Sequence, residues 1–148
     1  MAETLGVGKH DEEEGEFMSE LAIEPLNPAI LPAATGNYTH GVQVDGAQRI
    51  VFVSGQVPWG TEHGRVPETF EAQCRMVWRN VLSVLTEAGM GIRNLVKVTT
   101  YLSDRQYRAL NSKIREEVLG RHAPALTVVI CDIYAETWLL EIDAVAMA

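Results

Sequence analysis

Cysteine is scarce in this chain. Cys74 and Cys131 stand far apart and form no CxxC pair, which excludes zinc-ribbon and thioredoxin-like sites. With no apolar leader at the acidic N-terminus, a secretory signal is not expected, and two reduced core thiols fit better than a bridge. Positive charge is also short: 12 Lys and Arg stand against 20 Asp and Glu, a net charge of −8. A chain so balanced, with no basic stripe, is a poor electrostatic match for a polyphosphate backbone, so nucleic acid is not an expected partner. No run approaches the ~18 apolar residues of a membrane helix, and a cytoplasmic location is the simplest reading. The Rossmann glycine fingerprint is missing, as are HExxH, any G-x-S-x-G elbow around Ser54 and any internal repeat. His10, His40, His63 and His122 show no metal-ligand spacing, so no metal site is expected.

What is present is ordinary for one globular domain: 148 residues, 47% hydrophobic and 22% charged. The acidity is unevenly placed. Residues 1–20 carry seven acidic groups against Lys9 alone, and the remainder is close to neutral. This first stretch has no hydrophobic periodicity and reads as a disordered acidic tail, leaving residues 21–148 as a single domain. Met18 is a second candidate start.

Residues 24–37 contain three prolines and read as an extended lead-in. THGVQVDG predicts a strand and a turn at Asp45-Gly46, and IVFVSGQV predicts a buried strand with Gly55 at a bulge or a close backbone approach. Phe70, Cys74, Val77, Val81, Val84, Leu85 and Ala88 recur at helical spacing over residues 69–88, with Thr69 as cap, Glu71–Arg75 as a pair and Gly89 as terminator. NLVKVTTYL predicts a strand. Ser103 and Gln106 offer a capping box to a second helix with Tyr107, Leu110, Ile114 and Val118 on its apolar face, closed by Gly120. Residues 125–133 and 138–147 complete an α+β order of β-β-α-β-α-β-β, a mixed sheet with both helices on one face.

Two helices can cover only one face of such a sheet. Along the last strand Trp138, Leu140, Ile142, Ala144 and Ala146 point one way, while Leu139, Glu141, Asp143, Val145 and Met147 point the other. That second face is half apolar and uncovered, which predicts association with other copies of the chain.

Tyr38 in NYTHGVQV, the strand VFVSGQVP, the helix end LTEAG, the strand LVKVTTYL, Asn111 in ALNSK, Pro124-Ala125 and LEIDAVA together resemble the reactive intermediate deaminase (RidA-like) family, also described as L-PSP endoribonuclease or translation inhibitor. The resemblance runs from about Pro32 to the C-terminus. It implies a chorismate-mutase-like fold, a homotrimer with ligand clefts between subunits, and hydrolysis of enamines and imines such as 2-aminoacrylate without metal or organic cofactor. It further implies a glutamate serving the attacking water, here Glu141. An arginine that holds the substrate carboxylate should follow the Pro-Ala pair, and Leu126 stands there instead. Leaving a buried anion without that partner costs roughly 3–5 kcal/mol, about two to four decades in binding.

Each candidate has a plainer reading beside the functional one. Glu141 is a general base or an orienter of water, or else an intersubunit salt-bridge partner; Asp143, on the same face, reads as a pairing group. Tyr38 stacks on a ligand or simply occupies an interface. Gly55 admits a ligand to the backbone or simply bulges, and Asn111 binds substrate or satisfies backbone groups. Leu126 and Val128 would form an apolar cleft wall. Trp59, His63 and Trp138 suit an aromatic lid less well than interface packing, and His40 reads as a surface residue. The resulting expectation is hydrolytic deamination of a small reactive imine or enamine, other than the usual amino-acid-derived one, in an intersubunit cleft. The alternative is a trimeric small-molecule-binding or regulatory module without turnover.

Overall fold

A computed structural model of the chain describes residues 20–60 and 65–148. The acidic tail and His63 lie outside the described residues. The elements follow the order β1 (Ala22–Leu26), β2 (Gly41–Asp45), β3 (Ile50–Gln56), α1 (Phe70–Glu87), β4 (Leu95–Leu102), α2 (Arg108–Leu119), β5 (Ala125–Ile130) and β6 (Leu140–Met147). One strand more than expected is present at the front. The proline-rich lead-in begins with β1, which pairs antiparallel with β2 and places Pro25 opposite Val42. Among the described residues β1 has a single partner, and a proline without an N–H is tolerated on such an edge strand.

The main sheet has the order β3-β6-β4-β5. β4 and β5 are parallel, joined through α2, while β6 runs antiparallel to both its neighbours. A strand late in the chain thus occupies the middle of the sheet. Its alternation is strict: Leu140, Ile142, Ala144 and Ala146 are buried, and Glu141, Asp143, Val145 and Met147 are half-buried. β4 repeats the pattern, with Val98, Thr100 and Leu102 inside and Lys97, Thr99 and Tyr101 on the other face.

α1 lays Phe70, Cys74, Val77, Trp78, Val81 and Leu85 on this inner face, and α2 adds Ile114 and Leu119. Thr69 caps α1 through its hydroxyl, which accepts the Ala72 N–H at 3.3 Å. Arg75 bridges Glu71 at 2.9 Å and Glu117 of α2 at 2.8 Å, an exposed clamp between the helices. Tyr107 stacks on Phe70 with ring centroids 4.4 Å apart. The Ser103–Gln106 capping box is not formed. Asp104 lies nearer the turn, and its carboxylate accepts the Gln106 N–H at 2.8 Å, capping a short 3-10 turn at Arg105–Tyr107 from which α2 continues.

The last two strands are shorter than expected at their facing ends, for identifiable reasons. The Cys131 N–H donates to the Leu102 carbonyl as β5 ends. Before β6, the Trp138 N–H closes a turn on Ala135, and the Leu139 N–H is taken by the Gln73 side chain at 2.8 Å.

The outer face of the sheet is open, as the alternation required. On β3, Ile50 and Phe52 pair with Met147 and Val145 and stand 53% and 77% exposed. No helix among the described residues is long and apolar enough to cross a membrane.

Candidate functional site

Glu141 projects from the middle of the sheet onto the open face, with Tyr101 of β4 as its cross-strand partner. On the other side runs β3, whose register slips by one residue between Val53 and Gln56, so that Ser54 and Gly55 together oppose Asp143. This bulge brings the backbone of Gly55 under the Glu141 side chain. A Cβ built on Gly55 would sit 1.7 Å from Glu141 Oε1 and 2.7 Å from its Cδ. Gly55 does not have a positive φ. What glycine supplies here is space, and that space is taken by the Glu141 carboxylate, which a larger residue would push aside.

Beside Glu141, the Tyr101 hydroxyl donates to Asp143 Oδ2 at 2.9 Å. Tyr101 and Asp143 are diagonal across the β4–β6 ladder, a separation that an aromatic side chain spans. The hydrogen bond to Asp143, together with that carboxylate's charge, pushes the phenol up from its ordinary value; smaller contributions come from desolvation, Glu141 and Cys131. Glu141, Gly55, Tyr101 and Asp143 thus form one cluster on the open face. Tyr101 was not among the residues singled out from sequence. The signal was available: the alternation of LVKVTTYL, set beside that of LEIDAVAM, puts Tyr101 on the face of Glu141.

The other expected site residues lie elsewhere. Leu126 pairs with Val98 and packs against the core on the helix side, and Val128 pairs with Thr100 on the same side. Tyr38 stands at the outer edge of β5: the neighbouring Thr39 bridges to Ala125, and its N–H donates to the Pro124 carbonyl at 3.2 Å. The Tyr38 ring meets His40 edge-on, with centroids 5.9 Å apart. Asn111 is fully buried on α2, and its Oδ1 has no hydrogen-bond partner among the described residues. From Glu141 to Leu126 is two strands across and about three residues along, on the order of 14 Å, with the sheet between them. One chain does not bring the two to a common small molecule.

The remaining candidates have structural ties or none. A His40 ring nitrogen lies 2.7 Å from the Pro32 carbonyl, and one of His122 lies 2.6 Å from that of Leu95. Arg121 is exposed. Trp59 is 67% exposed, and Trp138 is half-buried near Tyr134. Among the described residues no group of three His, Cys, Asp or Glu side chains is placed to hold a metal. Also on the open face, β2 and the sheet enclose a cleft of about 430 Å³ lined by Val42, Val44, Val96, Ala125, Val145, Met147 and Lys97. The Lys97 ammonium donates to Thr127 Oγ1 at 2.5 Å.

Comparison with known proteins places this geometry. A RutC family protein of Pyrococcus abyssi (strain GE5 / Orsay) is 30% identical over 127 residues, covering 85% of this chain and 98% of the relative. TdcF of Escherichia coli K12, named as a candidate reactive intermediate deaminase, is 27% identical over 119 residues, covering 78% of this chain and 90% of TdcF. A crystal structure of E. coli TdcF with bound serine superposes with a TM-score of 0.63, at 26% identity over 84% of this chain and 98% of that one. YyfB of Yersinia pestis, a Rid family protein of unknown function, superposes with a TM-score of 0.73 at 23% identity, covering 85% of this chain and 98% of YyfB, and speaks for the fold alone. The family profile described as Endoribonuclease L-PSP matches residues 29–148, so that this chain is a member of the Endoribonuclease L-PSP family.

Proposed function

We propose that the protein is a homotrimeric hydrolase that converts a small imine or enamine to a carbonyl compound and ammonia, with Glu141 activating the water. The observation that carries this reading is the fit of the Glu141 carboxylate over Gly55 in a β3 bulge, beside the Tyr101–Asp143 pair. A carboxylate that lies over the bare backbone of Gly55, where a larger residue would displace it, is positioned, and positioning is what a general base requires. Water would lose a proton to Glu141 as its oxygen bonds to the C=N carbon. The π pair moves to nitrogen, which takes a proton; the C–N bond then breaks and the hydroxyl proton leaves. The relative named as a candidate deaminase supports the reaction class.

The separation of Leu126 from Glu141 within one chain is why the reading includes a trimer: a neighbouring copy would bring its β5 edge, with Leu126, Val128 and Tyr38, to this copy's open face. In that cleft Leu126 would replace a carboxylate-binding arginine and would suit a substrate without that anchor.

Ammonia release from 2-aminoacrylate and from a panel of larger imines tests the reading. Turnover on one of the larger imines, lost by at least a hundredfold in Glu141→Gln, is expected. Leu126→Arg is expected to gain activity on 2-aminoacrylate. Failure of every imine, with measurable binding of one, would favour instead a binding module, the reading that the leucine at this position supports. Cleavage of RNA is disfavoured by the acidic balance of the chain.

A further inference from the structure

The Tyr101–Asp143 hydrogen bond gives the Glu141 cluster a polarity that bears on its substrate. A phenol has one proton to donate and lone pairs with which to accept. The proton of Tyr101 is committed to Asp143 at 2.9 Å, so toward the cleft the oxygen can only accept. What it accepts must be an N–H or O–H of the ligand. Around it on the open face stand two carboxylates, Glu141 and Asp143, on β6, with Cys131 after β5; β3 supplies no titratable group. The cation that β4 places on this face is Lys97, opposite Val145 on β6 and already bonded to Thr127. A ligand group lying here meets acceptors and negative charge.

Resting on the deaminase reading above, we propose that Tyr101 contacts the substrate, its hydroxyl oxygen receiving an N–H of a protonated imine, and that Asp143 is the positioning residue that fixes Tyr101 in this acceptor role. The substrate class follows from the same charges: an iminium derived from a simple amine, with no carboxylate of its own. A carboxylate-bearing imine would carry an anion toward two others. The reaction balances as a protonated iminium and water giving a carbonyl compound and ammonium. Water's oxygen attacks carbon and its proton goes to Glu141. The C=N pair collapses onto a nitrogen already held by Tyr101, the proton held by Glu141 passes to that nitrogen, and ammonia leaves as the C–N bond breaks; the remaining hydroxyl proton is released as the carbonyl forms. The raised phenol keeps Tyr101 in its neutral, proton-donating form toward Asp143 throughout the neutral range.

The test uses the full-length chain and a matched pair of imines made in situ, one from an aliphatic amine by an amine oxidase and one from the corresponding α-amino acid by an amino-acid oxidase. Wild type is expected to favour the amine-derived imine in kcat/KM by at least tenfold. Tyr101→Phe is expected to lower kcat/KM on that imine about 10- to 100-fold and to shrink the preference, and Asp143→Asn to do the same more weakly. A bond of structural value alone would lower the melting temperature and leave the preference ratio as in wild type. That result overturns the proposal while leaving the deaminase reading standing, as would a wild-type preference for the carboxylate-bearing imine. No turnover of either imine by wild type, or by any variant, overturns both.

Discussion

A methyl group on residue 55 would meet the Glu141 carboxylate where it now lies, 1.7 Å from Oε1. The Glu141 tip can swing aside, so Gly55→Ala is expected to leave the protein folded, with stability changed by no more than about 1 kcal/mol. Turnover of a responsive imine should fall at least tenfold because the base is displaced; steady-state kinetics beside a thermal melt separates the two effects. A second single-residue expectation concerns pH. Burial pushes the Cys74 thiol from 9.0 up to about 12. The folded chain keeps this proton in a range where the unfolded chain releases it. The contribution is therefore complete below pH 9 and is lost as pH rises toward 12, by about 1.4 kcal/mol per pH unit. Urea unfolding on either side of pH 9 should show this loss in wild type and a shallower one in Cys74→Ala. Four buried polar atoms, Trp78 Nε1, Thr100 Oγ1, Asn111 Oδ1 and Arg115 Nε, find no partner among the described residues. Burial also lowers the Arg115 guanidinium from its ordinary value, and no acidic side chain among the described residues is paired with it.

Between elements, the side chain with the most to hold is Gln73. It is fully buried on α1 and donates to the Pro67 and Thr137 carbonyls at 2.7 and 2.9 Å, while its carbonyl oxygen accepts the Leu139 N–H at 2.8 Å. One amide thus fastens the start of α1 to the start of β6. Gln73→Leu keeps the volume and strands three backbone groups, with an expected loss of about 2–4 kcal/mol, read as a fall in the denaturant midpoint. Sequence periodicity alone could not show this, because a glutamine on an apolar helix stripe looks like an exception to the pattern. Much else at this scale was legible. The apolar spacing of α1, its Thr69 cap, and the glycines that end the two helices, Gly89 at φ +67 and Gly120 at φ +58, are local signals written in local residues. β1 was missed because Pro25 within it and the prolines that follow argue against a strand, and only its pairing with β2 makes it one. The capping of α2 was misassigned because Ser103 and Asp104 are adjacent candidates, and which one reaches the turn depends on backbone angles. The site divides the same way. Glu141 and Gly55 could be named from motif and strand position, but their mutual contact depends on a one-residue slip between strands that only the folded register shows.

At the scale of the whole molecule, the open face decides the expectations. Phe52, at 77% exposure, stands beside Val145 in a row that continues through Ile50 and Met147. If this face is where copies meet, as the proposed trimer requires, light scattering should give three times the chain mass, and Phe52→Glu should lower the assembly toward single chains. An imine hydrolase whose cleft needs two copies should lose turnover in parallel with mass.

The central place of β6 has a different consequence, in time rather than space. β3 and β4 do not touch as ladder neighbours; each is hydrogen-bonded to β6, which follows them both by many residues. Until Leu140–Met147 arrives, the two earlier strands and α1 have no seam to close on, and every contact of β6 with them is long-range in sequence, those with β3 spanning more than half the chain. Folding should therefore be slow for a domain of this size, on the order of milliseconds to seconds, with a transition state that contains the β6 seam. A chain interrupted before Leu140 should remain unfolded rather than form a smaller version of the same sheet.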